Sequence, residues 1–483
     1  MLNGRSRRVL VFCGISTLII GCSPTTPAPQ ERTAPSAPAG QAVRGAAGVG
    51  HEYYPADGNG GYNVLDYHVA ISYDPARQGI DAETTVTAKA KKTLSSFNLD
   101  LRGLRVKSVS VNGKKARFSR EGEFELVITP AEHLPSGSTF RTTVVYSGVP
   151  EAGSSESLGS NGWHRTETGA TFVLGEPHSA SYWYPVNGTP RDKATFHLDA
   201  RVPKGWSAVS IGRLTGKTTK GGWTTWHWAE PNRVAPYLTT LAVNKFTIER
   251  GKLPDGTPVL NAYAPGAEST KTMGKRVGEV IKFLEGKFGP YPQSAAGGIY
   301  LGTYVGFSLE TQGRPSYTLG IEMPVVVHEL AHQWYGNSVT VRSWADICLN
   351  ECLASYAMWL WAAEKQGVNL DARYRRYVDQ VRDSEAFWEN KLYDMGAGNE
   401  FTGVYNKGAL AIHALRQRIG EQAFAKVLRE WPARHKDGNA SWPEFERFVA
   451  EVSGQNLRPF FDAWFHATTI PAPKHLYPGT LGN

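Results

Sequence analysis

Two histidines and two glutamates have the types and spacing of a metal site. His328 and His332 lie four residues apart with Glu329 between them, and Glu351 follows nineteen positions after His332. Residues four apart project from nearly the same face of a helix, so both imidazoles can bind one ion. Two neutral imidazoles and a carboxylate form a three-ligand zinc set with an open fourth position, and Glu329 is placed to act as general base. The pattern predicts one catalytic Zn²⁺ per chain and hydrolysis of a peptide bond.

Two helices must position these groups, and local signals predict both. Gly336 and Asn337 predict that the helix carrying the histidines ends soon after them. A second helix is predicted from near Ser343 to a stop at Gly367, and it carries Glu351. One turn of an ordinary amphipathic helix is the alternative interpretation of a bare H-E-x-x-H, and this neighbourhood favours it less.

The stretch HELAHQWYGNSVT, followed by W-x-D-x-x-L-N-E, resembles the aminopeptidase N group of zinc metallopeptidases, which includes the leukotriene hydrolase branch. The segments Pro185–Phe196 and Val404–Ala409 resemble two further family stretches. The resemblance implies that His328, His332 and Glu351 bind zinc and that Glu329 is the general base. It also implies that Tyr405 donates a hydrogen bond to the oxyanion of the tetrahedral intermediate, which suits a phenol beside a metal.

The family's G-A-M-E-N signature, whose glutamate binds the α-amine of the substrate, is altered here. The chain has Phe307–Thr311 (FSLET), which keeps the carboxylate as Glu310. The second amine-binding acid of the family corresponds to Glu176, and the register places Gly188 where the family has an aspartate. The resemblance therefore implies an aminopeptidase that binds peptides through Glu310 and Glu176. An endopeptidase of the same fold and an envelope binding lipoprotein with a vestigial metal site remain alternatives, and an epoxide hydrolase is a remote one.

The order of patterns predicts a multidomain α+β chain. Residues 61–245 alternate apolar and polar positions with turn signals such as Asn112-Gly113, which predicts an N-terminal β-sandwich domain. Residues 246–470 are predicted to form a thermolysin-like zinc catalytic domain, and residues 471–483 a C-terminal tail. The resemblance also leads us to expect a short form without the C-terminal helical domain of larger family members.

The first residues have the pattern of an export signal. Arg5, Arg7 and Arg8 precede an apolar run, and Leu18–Cys22 resembles a bacterial lipobox. The expected protein is an extracytoplasmic, membrane-anchored bacterial lipoprotein, with signal peptide 1–21, a lipid anchor at Cys22 and a flexible linker over residues 22–60. A plain signal peptide is the alternative.

The charge pattern and the two remaining cysteines lead to further expectations. The net charge is +8, and the basic residues are scattered without blocks, so we expect no nucleic-acid partner. We also expect a monomer. Cys348 and Cys352 lie one helical turn apart beside Glu351. Two small buried side chains are the preferred interpretation, with a disulfide as the less favoured one.

Overall fold

The computed structural model describes residues 41–155 and 159–482. The N-terminal part is almost entirely β-structure. Its described strands are β1 (Val43–Arg44), β2 (Tyr62–Asp74), β3 (Gly79–Ala90), β4 (Leu94–Asp100), β5 (Arg105–Val111), β6 (Lys114–Lys115), β7 (Arg117–Glu121), β8 (Glu125–Thr129), β9 (Thr139–Gly148), β10 (Ala152–Ser155), β11 (Gly159–Arg165), β12 (Thr171–Leu174), β13 (Ala194–Pro203), β14 (Ser207–Ser210), β15 (Arg213–Lys220), β16 (Trp223–Val234) and β17 (Leu241–Asn244).

These strands form three sheets. The largest has the order β15-β16-β13-β2-β3-β9-β5-β6, and the smaller ones have the orders β1-β4-β8-β7 and β10-β11-β12-β17-β14. Alternation along β2 and β13 turns one face into the core, where Phe196 pairs with Tyr67 in a parallel register. Asn112 and Gly113 both have positive φ, and they form the two-residue turn between β5 and β6 that their sequence predicts.

The C-terminal part combines a small sheet with helices. Its strands are β18 (Thr247–Lys252), β19 (Pro258–Tyr263), β20 (Ala296–Tyr300) and β21 (Ser316–Tyr317), in that order, with a further pair β22 (Thr340–Val341) and β23 (Asn439–Ala440). Its helices are α1 (Lys271–Gly274), α2 (Val277–Phe288), α3 (Met323–Ala331), α4 (Cys348–Gln366), α5 (Leu370–Val381), α6 (Glu385–Trp388), α7 (Asn406–Ile419), α8 (Glu421–Arg434), α9 (Trp442–Ser453), α10 (Arg458–Phe461) and α11 (Pro473–Leu476). The prediction of an α+β chain, β-rich first and helical second, is confirmed.

Local signals bound the two helices that matter most for function. Helix α3 begins with Pro324 in its first turn, where a missing N–H costs nothing, and ends at Ala331. A 3₁₀ turn capped by Ser343 leads into α4, which stops at Gly367 in the left-handed conformation. Helix α7 packs closely on α4, since a Cβ atom at Gly408 would lie 2.5 Å from Sγ of Cys352.

The structure corrects the preferred interpretation of the two cysteines. Cys348 and Cys352 form a disulfide, with Cα atoms 4.8 Å apart. That separation lies within the range a disulfide can span. Because Cys348 is the first residue of α4, the bridge closes the opening turn of the helix that carries Glu351.

Residues 41–60, assigned from sequence to the flexible linker, are packed in the structure. Strand β1 pairs with β4, and His51 and Asn59 are buried. The Tyr53 hydroxyl donates to Asp394, which lies 341 positions away in the helical part. The predicted tail is packed as well, because Leu476 is buried and its carbonyl accepts a hydrogen bond from another helix. The predicted signal peptide and Cys22 lie outside the described residues. No helix in the described part of the chain is both long and apolar enough to cross a membrane.

Candidate active site

The three predicted metal ligands converge on one buried point. Nε2 of His328 lies 3.0 Å from Nε2 of His332 and 3.1 Å from Oε2 of Glu351, and His332 Nε2 lies 3.5 Å from the same oxygen. In a tetrahedral zinc site with bonds of about 2.0–2.2 Å, ligand atoms lie about 3.3–3.6 Å apart. The His332–Glu351 separation falls in this range and the other two separations are slightly shorter than it. The nitrogen and oxygen donors therefore have the type and burial that suit a zinc ion, and they lie close enough together to share one.

The chain fixes the orientation of one imidazole through its second nitrogen. His332, which follows the last residue of α3, has Nδ1 3.0 Å from the carbonyl oxygen of Tyr335. With the proton on Nδ1 donating to that carbonyl, the lone pair of Nε2 points toward the other ligands. Glu351 in the first turn of α4 completes the set, so two helices present the ligands from opposite sides as predicted.

Glu329 lies beside His332, one of the predicted metal ligands. Its carboxylate, a carboxylate oxygen of Glu310 and a ring nitrogen of His332 all lie within 4.8 Å of one another. Burial raises the pKa of Glu329 well above its ordinary value; the charge of His332 opposes this shift, and the charges of Glu310 and Glu351 add to it. A carboxyl group with a raised pKa beside a metal site is suited to take up and return a proton.

Glu310 and Glu176 meet in the same cavity, although they are far apart in the sequence. Burial raises the pKa of both, and the charge of Glu310 raises the pKa of Glu176 further. Each keeps one buried carboxyl oxygen, Oε1, without a hydrogen-bond partner in the structure. Unpaired buried oxygens are costly, so this pair is suited to hold a cationic group.

Tyr405 precedes the first residue of α7 and is 37% exposed. Its ring lies 5.9 Å from the ring of His328. Although part of the residue is exposed, removal of its phenol group from water raises the pKa of Tyr405 well above its ordinary value, and the negative charges of the cavity, Glu351 foremost among them, raise it further. The phenol therefore stays protonated at neutral pH and can donate a hydrogen bond. Close by, buried Lys407 donates to the Trp388 carbonyl and holds the start of this helix.

These residues line one cavity of about 250 Å³, together with several apolar side chains. The polar members are the seven site residues predicted from sequence, Tyr405 included, together with Ser308. The apolar members, which shape the space beside the polar groups, are Phe307, Leu309, Val325, Met358 and Phe401. Every site residue predicted from the sequence is therefore brought to one place.

Sequence reasoning missed the residues that support the Glu310 loop. Gln333 and Asn337 both donate side-chain hydrogen bonds to the main-chain carbonyl of Glu310, at 3.2 and 2.7 Å. Lys193 of the β domain, only 4% exposed, donates from Nζ to the carbonyls of Asn337 and Ser338 at 2.8 and 2.9 Å. The sequence offered two signals for these supporting residues. Polar Gln333 directly follows the zinc motif, and Lys193 lies inside the Pro185–Phe196 segment.

The structure gives a physical reason for Gly188, where the family pattern has an aspartate. Its N–H donates to Oδ2 of buried Asp100 at 2.8 Å. A Cβ atom at this position would lie 2.5 Å from the same oxygen. Asp100 thus fills the space that a side chain at position 188 would need.

Comparisons with known proteins agree with this geometry. Residues 63–238 match the peptidase M1 N-terminal domain, and residues 319–464 match the peptidase family M1 domain. A relative named aminopeptidase N, from Lactococcus lactis subsp. cremoris, is 24% identical over 84% of this chain and 51% of its own length. Leucyl aminopeptidase from Saccharolobus solfataricus is 24% identical over 77% of this chain and 50% of its own length. The chain spans about half the length, or less, of the curated relatives it matches first.

A solved structure matches over its whole length. The M1 zinc metallopeptidase from Deinococcus radiodurans has a TM-score of 0.81 and 29% identity, covering 88% of this chain and 98% of that one. A mutant of that enzyme was crystallised with a Tyr-Ser-Ala substrate and matches with the same TM-score at 28% identity, covering 88% of this chain and 99% of its own.

Proposed function

Because the chain belongs to peptidase family M1, we propose that it is a zinc-dependent aminopeptidase that removes residues one at a time from the amino terminus of peptides. One observation carries this proposal. Glu176 and Glu310, two buried carboxyl groups with unpaired oxygens, line the same cavity as the zinc ligands and the general base. The names of the aminopeptidase relatives and the substrate-bound Deinococcus radiodurans structure support it.

Each residue has a defined task in this reaction. His328, His332 and Glu351 would hold the zinc ion. When bound, the ion would lower the pKa of a water molecule and polarise the substrate carbonyl. Glu329 accepts a proton from the attacking water and then returns it to the leaving amine. The Tyr405 hydroxyl donates to the oxygen on which negative charge develops.

The exopeptidase outcome follows from the two remaining acids. A free α-ammonium group has three donors, and the unpaired oxygens of Glu176 and Glu310 can accept from it. Anchoring the ammonium group places the first peptide bond, rather than an internal one, beside Glu329. Removing one carboxylate by Glu310→Gln should lower kcat/KM by about 10- to 100-fold, the loss of one charge-assisted hydrogen bond.

The test compares one peptide with a free amino terminus and its acetylated form. We expect the free peptide to lose its first residue and the acetylated peptide to remain intact. Glu329→Gln should abolish cleavage while zinc stays bound. The matched control is Glu322→Gln, the same change at an exposed residue immediately before the same helix, whose side chain makes no capping hydrogen bond, and it should leave cleavage unchanged.

The other possible results of this cleavage test would each favour one of the alternative functions. Internal cleavage of both peptides would indicate an endopeptidase, which the altered loop Phe307–Thr311 favours. Cleavage of neither peptide by the zinc-loaded protein would contradict the peptidase assignment and favour the envelope binding protein.

We further propose that the protein acts outside the cytoplasm as a monomer, anchored in a membrane by lipid on Cys22. The lipobox-like Leu18–Cys22 supports the anchor. The disulfide between Cys348 and Cys352 supports an oxidising compartment. We expect Cys22→Ser to move the protein from the membrane fraction to the soluble fraction without loss of activity, and gel filtration of the released form to give a monomer mass.

A further inference from the structure

A second and larger cavity lies next to the active-site loop. Its volume is about 900 Å³. One wall comes from the β domain and includes Trp163, Arg165, Phe172, Trp206 and Lys245. The other wall is the loop of residues 301–305, and we call the whole space the loop groove. None of the proposed catalytic roles uses it.

The loop groove and the catalytic cavity share one stretch of backbone. Residues 301–305 line the groove, and residues 307–310 line the catalytic cavity, with Gly306 between them. Glu310, the proposed ammonium anchor, lies at the far end of this stretch. A peptide that starts at Glu310 and follows the stretch backward would therefore leave the catalytic cavity and enter the groove.

The stretch is held in place rather than free. The N–H of Val305 donates to Oγ1 of Thr318 at 2.9 Å, and the N–H of Leu319 donates to the Thr303 carbonyl at 2.8 Å. Leu309 pairs with Ser316 of β21. A backbone anchored at both ends can present a preformed surface, which lowers the entropic cost of binding an extended chain.

The charges of the two cavities are complementary to those of a free peptide. The catalytic cavity contains four glutamates, whereas the described residues that line the groove include Arg165 and Lys245 and one acid, Glu167. A free peptide at neutral pH carries a positive charge at its amino end and a negative charge at its carboxyl end. Its two ends are therefore matched when it runs from the catalytic cavity into the groove.

The groove also offers aromatic surface for side chains. Tyr304 is 74% exposed and stands on the loop wall. On the opposite wall, Nζ of Lys245 lies 5.4 Å from the ring centre of Trp206. Exposed aromatic side chains near a positive charge are typical of surfaces that bind peptides.

We propose that the loop groove binds the part of a peptide substrate that lies beyond the scissile bond, and that it selects oligopeptides with a free carboxyl terminus. This proposal rests on the proposed aminopeptidase function. An extended chain advances about 3.3 Å per residue, so Tyr304, six residues before Glu310, lies at most about 20 Å along the stretch from the ammonium anchor. A substrate of roughly six or seven residues is then long enough to reach Tyr304 and Lys245.

The test measures kcat/KM for peptides with the same first two residues and lengths from about two to about eight residues. With the wild-type protein we expect kcat/KM to rise by about tenfold once the peptide enters the groove, and amidation of the carboxyl terminus to remove part of this rise. Tyr304→Ala and Lys245→Glu should remove the rise while leaving the dipeptide rate unchanged.

Two control substitutions change residues of the same types as Lys245 and Tyr304 at positions outside the groove. Lys217 lies with Nζ 5.4 Å from the ring centre of Trp226, the same arrangement as Lys245 with Trp206, outside the groove. Phe118 is an exposed aromatic residue on β7. Lys217→Glu and Phe118→Ala should keep the full length dependence.

Two results would overturn the proposal. One is a wild-type kcat/KM that does not change with peptide length. The other is an equal loss for short and long peptides in the groove variants, which would indicate a general structural effect. Failure of the aminopeptidase assignment gives a different result, since then the dipeptide is not cleaved by the wild-type protein at all.

Discussion

Replacing Tyr405 by phenylalanine tests whether the phenol hydroxyl stabilises the transition state. The substitution removes one oxygen and keeps the ring, so packing beside His328 and at the start of α7 is preserved. None of the three metal ligands is changed. We therefore expect the variant to fold and to bind zinc as the wild-type protein does.

The expected loss follows from the proposed role of the hydroxyl as a donor to the oxyanion. The high pKa of Tyr405 keeps it a neutral donor, and a donor aimed at a developing oxyanion contributes about 2.7–4 kcal/mol. The reduction in kcat should then be about 10²- to 10³-fold. Because the charge on the carbonyl oxygen develops only in the transition state, KM should change little.

The assay is steady-state hydrolysis of an aminoacyl p-nitroanilide, with zinc content measured on the same samples. Tyr377→Phe is the matched control, because Tyr377 is a partly buried tyrosine on α5 that does not line the catalytic cavity. It should keep wild-type kcat. A Tyr405→Phe variant with full zinc and a kcat within about threefold of wild type would refute the reasoning, as would a loss confined to KM.

Three further predictions concern stability. Removing zinc with a chelator should lower the free energy of unfolding by about 4 kcal/mol if zinc had been present at about 1,000 times its Kd, and re-adding zinc should restore it; calorimetry that detects no change would argue against a metal site. Burial, with Arg191 nearby, lowers the pKa of His51 from 6.5 to about 4, so the unfolded chain takes up this proton first. The contribution of His51 to the free energy of unfolding should be fully present above pH 6.5 and should fall by about 3 kcal/mol as the pH drops to about 4. In urea titrations, His51→Gln should remove that part of the pH dependence. Replacing Cys348 and Cys352 together by alanine should cost about 2 kcal/mol for the loss of a very short cross-link, and an unchanged denaturation midpoint would contradict the disulfide.

Much of the site was predictable from the sequence because its signals are local. The zinc helix, the helix of Glu351 and the turn at Asn112-Gly113 each depend on residues a few positions apart. The spacing of a helix places His328 and His332 on one face whatever else the chain does. Glu176, Glu310 and Tyr405 were also predicted, but only through resemblance to a family, since nothing in their own neighbourhoods requires a functional role.

Only the tertiary structure brings Glu176 into the same cavity as Glu310, places Lys193 against the carbonyl of Asn337 and fits Asp100 into the space beside Gly188. Contacts of this kind join residues that are far apart in the chain. The hydrogen bond from the Tyr53 hydroxyl to Asp394 is another such contact. Helix and strand periodicity carries no information about which distant segments meet. The sequence by itself therefore determined the chemistry of the metal site and the elements that carry it. The folded chain decided which carboxyl groups share the cavity and which surface lies beyond it, because sheet order and helix packing bring distant residues together.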